Sequence, residues 1–210
     1  MFITFEGLDF SGKSTQAKLL HEHFLSEKRK SILLREPGGT KISEKIREIL
    51  LDREHLEMLP LTEFFLFSAS RNQLVNQFIK PHLKKKFIVI CDRYYDSSSA
   101  YQGFGGNLDM RKVDMVNEFA TGGLAPDISF LIDLKPKDAF MRAQNGKSVK
   151  DRIENKKLSY YKKVYEGFHE IADKNKKRFV IIDGTKSIEA IHSEILIKVY
   201  KKLKIIHEKI

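Results

Sequence analysis

The stretch Gly7-Leu8-Asp9-Phe10-Ser11-Gly12-Lys13-Ser14 constrains this chain more than any other. It matches the pattern G-x-x-x-x-G-K-[ST], whose parts have separate tasks on one triphosphate. The glycines let the backbone curl until successive N–H groups face phosphate oxygens. Lys13 sets a charge against the β- and γ-phosphates, and the Ser14 hydroxyl suits Mg²⁺. The flanks supply the geometry these tasks need. Phe2-Ile3-Thr4-Phe5 reads as a short strand, and Ala17, Leu19, Leu20, Phe24 and Leu25 make a helical apolar stripe from Lys13 onward. A strand that enters a glycine loop and leaves it as a helix brings the helix N–H groups and positive dipole end to the anion. A glycine-rich turn that merely contains Lys and Ser would not need such flanks. The sequence therefore predicts a nucleoside triphosphate bound on residues 7–15.

Downstream, short apolar runs recur at Ser31–Arg35, Phe87–Cys91, Ile128–Asp133 and Phe179–Asp183, each with little polar alternation. Strands covered on both faces read this way. Helical patterns lie between them, at Lys13–Ser26, Ser43–Leu51, Leu61–His82, Arg111–Thr121, Pro136–Ala143, Asn155–Lys174 and Ile188–Ile205. Strands alternating with helices imply crossover connections, hence an α/β fold with a five-stranded parallel sheet and helices on both faces. Asp96–Met110 and Gln144–Arg152 read as irregular. The second is polar and breaks two helical segments, as a mobile lid over about residues 144–153 would. With no linker or repeat, residues 1–210 are expected to form a single domain.

Composition removes several classes. No apolar run nears the roughly 18 residues of a membrane helix, and no signal peptide precedes Phe2, so a cytoplasmic protein without a membrane partner is expected. The sole cysteine, Cys91, excludes an internal disulfide and any multi-cysteine zinc site, and its place after Phe87-Ile88-Val89-Ile90 suggests a buried thiol. The net charge of +10 would suit nucleic acid, but the lysines dot helices without an aromatic platform, so nucleic acid is not expected as a partner.

Ligands of parallel sheets bind beyond the carboxyl ends of the strands. There stand Glu6-Gly7, then Arg35-Glu36-Pro37-Gly38-Gly39-Thr40, then Asp92-Arg93-Tyr94. Asp92 can hold Mg²⁺ or its waters, and Arg93 can clamp a phosphate with its planar fork. Phe67 and Arg71 share a helix face one turn apart. Together they could stack a flat base and bond its edge, although the spacing alone reads equally well as core. Ser97-Ser98-Ser99-Ala100-Tyr101-Gln102-Gly103 adds hydroxyls and an amide.

Taken in order with Pro126-Asp127 and Asp151-Arg152-Ile153-Glu154, these motifs resemble bacterial thymidylate kinases along nearly the whole chain. The Arg-Glu-Pro-Gly-Gly-Thr and Tyr-Gln-Gly runs are far more specific than the phosphate loop. The resemblance implies the P-loop nucleotide kinase fold, transfer of the γ-phosphoryl of ATP to dTMP with Mg²⁺ in dTTP synthesis, and a homodimer. It assigns Gly7, Leu8, Asp9, Phe10, Ser11, Gly12, Lys13, Ser14, Thr15 and Arg142 to ATP, with Arg142 along adenine. Asp9, Glu36, Pro37, Phe67, Arg71, Arg93, Ser98, Tyr101 and Gln102 fall to dTMP, with a cis bond before Pro37 also in keeping. Lys13, Arg93, Asp9 and Arg152 become the catalytic group, and Ser14 and Asp92 the metal ligands.

Two departures from the family pattern stand out, one in the phosphate loop and one in the lid. Phe10 stands where a small, acidic or basic residue is usual, and Lys147 and Lys150 stand where bacterial members often carry arginine. Phe10 cannot neutralise transition-state charge, so that role is expected of Arg152 in the lid, helped by Lys147 or Lys150. Those lysines read almost as well as solvated charges. Three other functions make different demands on the chain. A kinase for another nucleoside or nucleotide acceptor needs a different pocket, a slow nucleotide-hydrolysing switch needs no acceptor pocket, and nucleic-acid binding through the basic surface would be salt-sensitive.

Overall fold

Phe2–Glu6 (β1), Ser31–Arg35 (β2), Ile88–Asp92 (β3), Ile128–Asp133 (β4) and Phe179–Asp183 (β5) form an all-parallel sheet in the order β2-β3-β1-β4-β5. The computed structural model describes residues 1–145 and 151–207. The interior strands β1, β3 and β4 are buried along nearly their whole length, whereas β2 and β5 at the edges are partly exposed. That is why the interior runs carry no polar alternation. The expected strands are all present, with β1 and β3 each extending one residue further, to Glu6 and Asp92.

Helices cover both faces. Lys13–Ser26 (α1) and Ile188–His207 (α9) press Ala17, Leu20, Phe24, Ile191, Ile195 and Val199 onto Ile3, Phe5, Ile90, Phe130 and Ile132. Each large side chain buried in this way contributes about 1.5–3 kcal/mol. On the other face, Pro60–Leu74 (α3) and its continuation lie against Phe2, Leu34, Val89 and Cys91. Beside them, Leu158–Lys174 (α8) covers Leu131 and Phe179. Cys91 is buried as expected, and burial holds its thiol well above the usual range.

Lys41–Leu51 (α2), Met110–Thr121 (α6) and Pro136–Asn145 (α7) complete the expected helices with shifts of a residue or two. The larger differences are local. The helix expected over Leu61–His82 is α3, a π-helical turn at Val75–Ile79 and a short α4 at Lys80–Lys84. Pro81 lacks the N–H that the ladder needs, and just ahead of it the Lys80 N–H bonds back to the Val75 carbonyl.

Asp96–Met110 is mostly helical rather than irregular: Tyr95–Ser98 (α5) runs straight into a π-helical turn at Ser99–Gly105. Serine and glycine disfavour helix in isolation, and here packing overrides them. A Cβ on Gly105 would lie 2.7 Å from both Tyr160 and Val164, so only glycine lets α8 come this close.

Register sets the site. Phe5 pairs with Asp92 and Glu6 with Leu131, so β1 and β3 end level. The chain fills one side of β1 with β2 and β3 and then crosses to β4, which makes the end of β1 the switch point of the sheet. The phosphate loop leaves the sheet there.

Candidate active site

The loop after β1 is shaped by close approach. Gly7 has φ +136°, and a Cβ on it would sit 2.7 Å from the Ile132 carbonyl oxygen. The loop ends at Gly12, which opens α1 with no side-chain cap and no acidic residue in the first turn. A helix start of this kind leaves backbone N–H groups for an anion. Lys13 is buried, donates to the Leu8 carbonyl at 3.1 Å and lies 3.8 Å from Asp9 Oδ1. Burial, then the neighbouring Arg93, pulls its ammonium below the usual lysine range.

A cavity of about 380 Å³ opens from this loop along the ends of β1, β2 and β3. Asp9, Lys13 and Ser14 line its loop side, and Glu36, Pro37 and Arg71 its far wall. Phe67, Asp92, Arg93, Ser98, Tyr101 and Gln102 also face it. The expected acceptor residues therefore share one space with the phosphate lysine. Phe67 is half-buried rather than sealed in the core, and the bond between Glu36 and Pro37 is cis.

Two buried networks organise the walls. Arg93, in the left-handed region at φ +70°, donates to the Gly7 carbonyl and Ser97 Oγ at 3.0 Å and to the Tyr101 hydroxyl at 3.2 Å. It also pairs with Asp9, which accepts from the Tyr101 hydroxyl at 2.9 Å. Burial opposes the Asp9 charge, but Arg93, Lys13 and Tyr101 outweigh it and hold the carboxyl down at about 2.

Arg71, 1% exposed, donates to Glu36 Oε2 at 2.7 Å, Ser98 Oγ at 2.8 Å and Asn117 Oδ1 at 2.9 Å. Burial pushes the Glu36 carboxyl up to about 7 in spite of Arg71, and Glu36 Oε1 is buried without a partner. Glu6, sealed beneath the loop, accepts from the Tyr94 N–H and from Ser97 Oγ. Burial, reinforced by Asp96, holds it well above the carboxylate range.

Asp92 and Ser14 face the cavity together, and Asp92 Oδ1 is buried with no hydrogen-bond partner. A carboxylate and a hydroxyl are hard oxygen donors that fit Mg²⁺, which keeps waters and phosphate oxygens as its remaining ligands.

Other expected residues lie elsewhere. Leu8 is core, and Phe10 lines a crevice with Phe140, Ala143, Tyr161 and Glu154. Ser11, Gly12 and Thr15 belong to the loop and α1 without lining the cavity. Arg142 bonds the carbonyls of Ser11 at 3.4 Å and Gly184 at 2.8 Å, which ties α7 to the outer side of the loop.

Arg152 stands apart from the other expected site residues. It does not line the cavity: it is 5% exposed, pairs with Glu63 Oε2 at 2.7 Å and donates from Nε to the Leu50 carbonyl at 2.9 Å. An arginine next to a polar, lid-like stretch reads as a mobile cation, and nothing in the sequence points to its burial against α3. Lys147 and Lys150 fall outside the described residues, as does most of the expected lid.

The cavity also holds residues the sequence did not single out. Arg35 and Arg47 add cations, and Asp151 and Glu154 add carboxylates. Asp151 and Glu154 lie within a quoted motif, so their position was readable there. Arg47, among exposed charges on α2, carries no comparable signal.

A phosphate loop at the switch point of a parallel sheet, sharing one cavity with a basic, aromatic-lined wall, defines a P-loop nucleotide kinase. Comparison with known proteins narrows this class. The family model for thymidylate kinase matches residues 5–195. Thymidylate kinase of Caldanaerobacter subterraneus subsp. tengcongensis is 47% identical over 203 residues, covering 97% of this chain and 96% of the relative. That of Kosmotoga olearia is 45% identical, covering 93% of each. The crystal structure of thymidylate kinase from Ehrlichia chaffeensis superposes with a TM-score of 0.77 at 38% identity, over 96% of this chain and 98% of that one. The chain belongs to the thymidylate kinase family.

Proposed function

We propose that the enzyme transfers the γ-phosphoryl of MgATP to dTMP, giving dTDP and ADP on the route to dTTP. The observation that carries this reading is the single cavity joining Lys13 and Ser14 to Phe67, Arg71, Arg93 and Tyr101. ATP lies along residues 7–15, with adenine beside Arg142. Thymine stacks on Phe67, Arg71 bonds its edge, and Tyr101 forms the floor under the sugar. Ser98 and Gln102 complete the nucleoside pocket, with Glu36 and Pro37 shaping it.

Arg93 and Arg47 hold the acceptor phosphate, and Asp9 locks the Arg93 fork in place. An acceptor oxygen attacks the γ-phosphorus in line while Lys13 and Arg93 stabilise the equatorial charge. Positioning and electrostatics supply the rate. Ser14 and Asp92 would hold Mg²⁺, which when bound would supply neutralisation of phosphate charge. The phosphate of dTMP is largely ionised at neutral pH and needs no dedicated base.

The working form is proposed to be a cytoplasmic homodimer, joined through exposed apolar side chains on α3 and α6. No helix among the described residues is long and apolar enough to cross a membrane. ADP production from MgATP with dTMP, dUMP, UMP, dCMP, AMP or thymidine tests the acceptor. Rapid turnover with dTMP is expected, and turnover with AMP but not dTMP would overturn the reading.

A further inference from the structure

Arg152 lies behind the cavity lining in a buried polar network. Its ion pair with Glu63 is buried on both sides, with side-chain exposures of 4% and 7%. Its Nε holds the Leu50 carbonyl at 2.9 Å, which ties the segment after the lid to the end of α2. The other oxygen of Glu63 accepts from Gln102 Nε2 at 2.9 Å. Gln102 is 2% exposed and faces the cavity from the π-helical turn. A continuous polar chain therefore runs from Leu50 through Arg152 and Glu63 to the acceptor wall.

The chain has a direction. Glu63 Oε1 accepts from the –NH₂ end of the Gln102 amide and thereby sets which way that amide faces. Burying a carboxylate costs least when a counter-charge lies beside it. Arg152 supplies that counter-charge and is itself fixed by Leu50.

We propose that Arg152 is a positioning residue for the acceptor: through Glu63 it fixes the orientation of the Gln102 carboxamide in the pocket. The proposal rests on the reading that this cavity takes dTMP. It separates two jobs an arginine near the lid could have. A cation acting on the transferring phosphoryl lowers kcat when removed, whereas a residue that orients a ground-state contact weakens acceptor binding.

Calorimetric titration of dTMP and of ATP, with steady-state kinetics, on wild type, Arg152→Met, Arg152→Lys, Gln102→Leu and the Arg152→Met/Gln102→Leu double variant tests it. The wild-type titration reports on the acceptor reading alone, so the two readings fail in different samples. Arg152→Met is expected to weaken dTMP binding about tenfold while ATP affinity and kcat at saturating dTMP change less than about threefold. Arg152→Lys, which keeps a charge for Glu63, is expected to recover most of the lost affinity. The double variant is expected to bind dTMP no more weakly than Gln102→Leu, because coupled residues are not additive. Gln102→Leu leaves the ion pair intact and covers the case in which Arg152→Met folds poorly. A loss in kcat of about a hundredfold or more in Arg152→Lys with unchanged dTMP affinity would overturn the proposal. So would native dTMP affinity in Gln102→Leu, or fully additive losses in the double variant.

Discussion

Glu36 shows how far a residue's environment can depart from its sequence. In sequence it reads as a charged residue on the acceptor side, with nothing to mark its burial, yet it is buried against Arg71 with its carboxyl held near 7. The consequence is a pH dependence of stability with a definite sign. Between about 4.5 and 7 the folded chain keeps a proton on Glu36 that the unfolded chain has released. Its contribution is complete below about 4.5 and is lost as the pH rises through 7. Melting curves of wild type and Glu36→Gln across this window should differ progressively, with wild type losing about 3 kcal/mol relative to the variant. A constant difference would show that Glu36 is ionised throughout.

Phe67 makes the complementary case. Its spacing with Arg71 marks a face, but only the cavity distinguishes base contact from core. Phe67→Ala should raise the KM for dTMP about tenfold or more, as loss of a base stack worth about 1–3 kcal/mol would, and leave the KM for ATP near native. Residues whose placement follows from local spacing, such as Lys13 and Arg93 at the cavity, were readable in the sequence. Arg152 was not, because its partner Glu63 is distant in the chain and only tertiary packing brings the two together.

At the level of elements, the strands were legible because burial on both faces leaves an unbroken apolar run. The helices flanking them were legible from their stripes. The stretch Asp96–Gly105 was not, since serine and glycine mimic a loop wherever glycine serves close packing instead of a turn. That packing can be tested directly. Gly105→Ala would place a methyl 2.7 Å from Tyr160 and Val164, so α8 must shift. Overpacking of this kind costs about 1–3 kcal/mol. Urea unfolding should show a lower midpoint with an unchanged slope. Because Tyr160 also donates to the Tyr101 carbonyl at 2.8 Å, the same change should weaken dTMP binding, although Gly105 does not line the cavity. A native midpoint would mean that α8 has slack the structure does not suggest.

For the whole molecule, Phe64 and Phe65 divide a question that sequence leaves open: Phe64 is core, and Phe65 is 51% exposed. Leu61 joins Phe65 on α3, and Met115 and Phe119 are exposed on α6, which packs beside it. Sedimentation equilibrium should give twice the mass of the chain, and Phe65→Glu with Phe119→Glu should return it to one. A double variant that stays dimeric would place the interface elsewhere. The bare start of α1 has a last consequence. Thr40 and Asp109 cap α2 and α6 with their side chains, whereas α1 begins on Gly12 with no side chain to close it. The nucleotide is then a structural component of the helix, supplying from solution the acceptor atoms that a serine or aspartate supplies in other helices. Folding and loading share a free energy, and the chain's resistance to unfolding rises with the logarithm of the ATP around it.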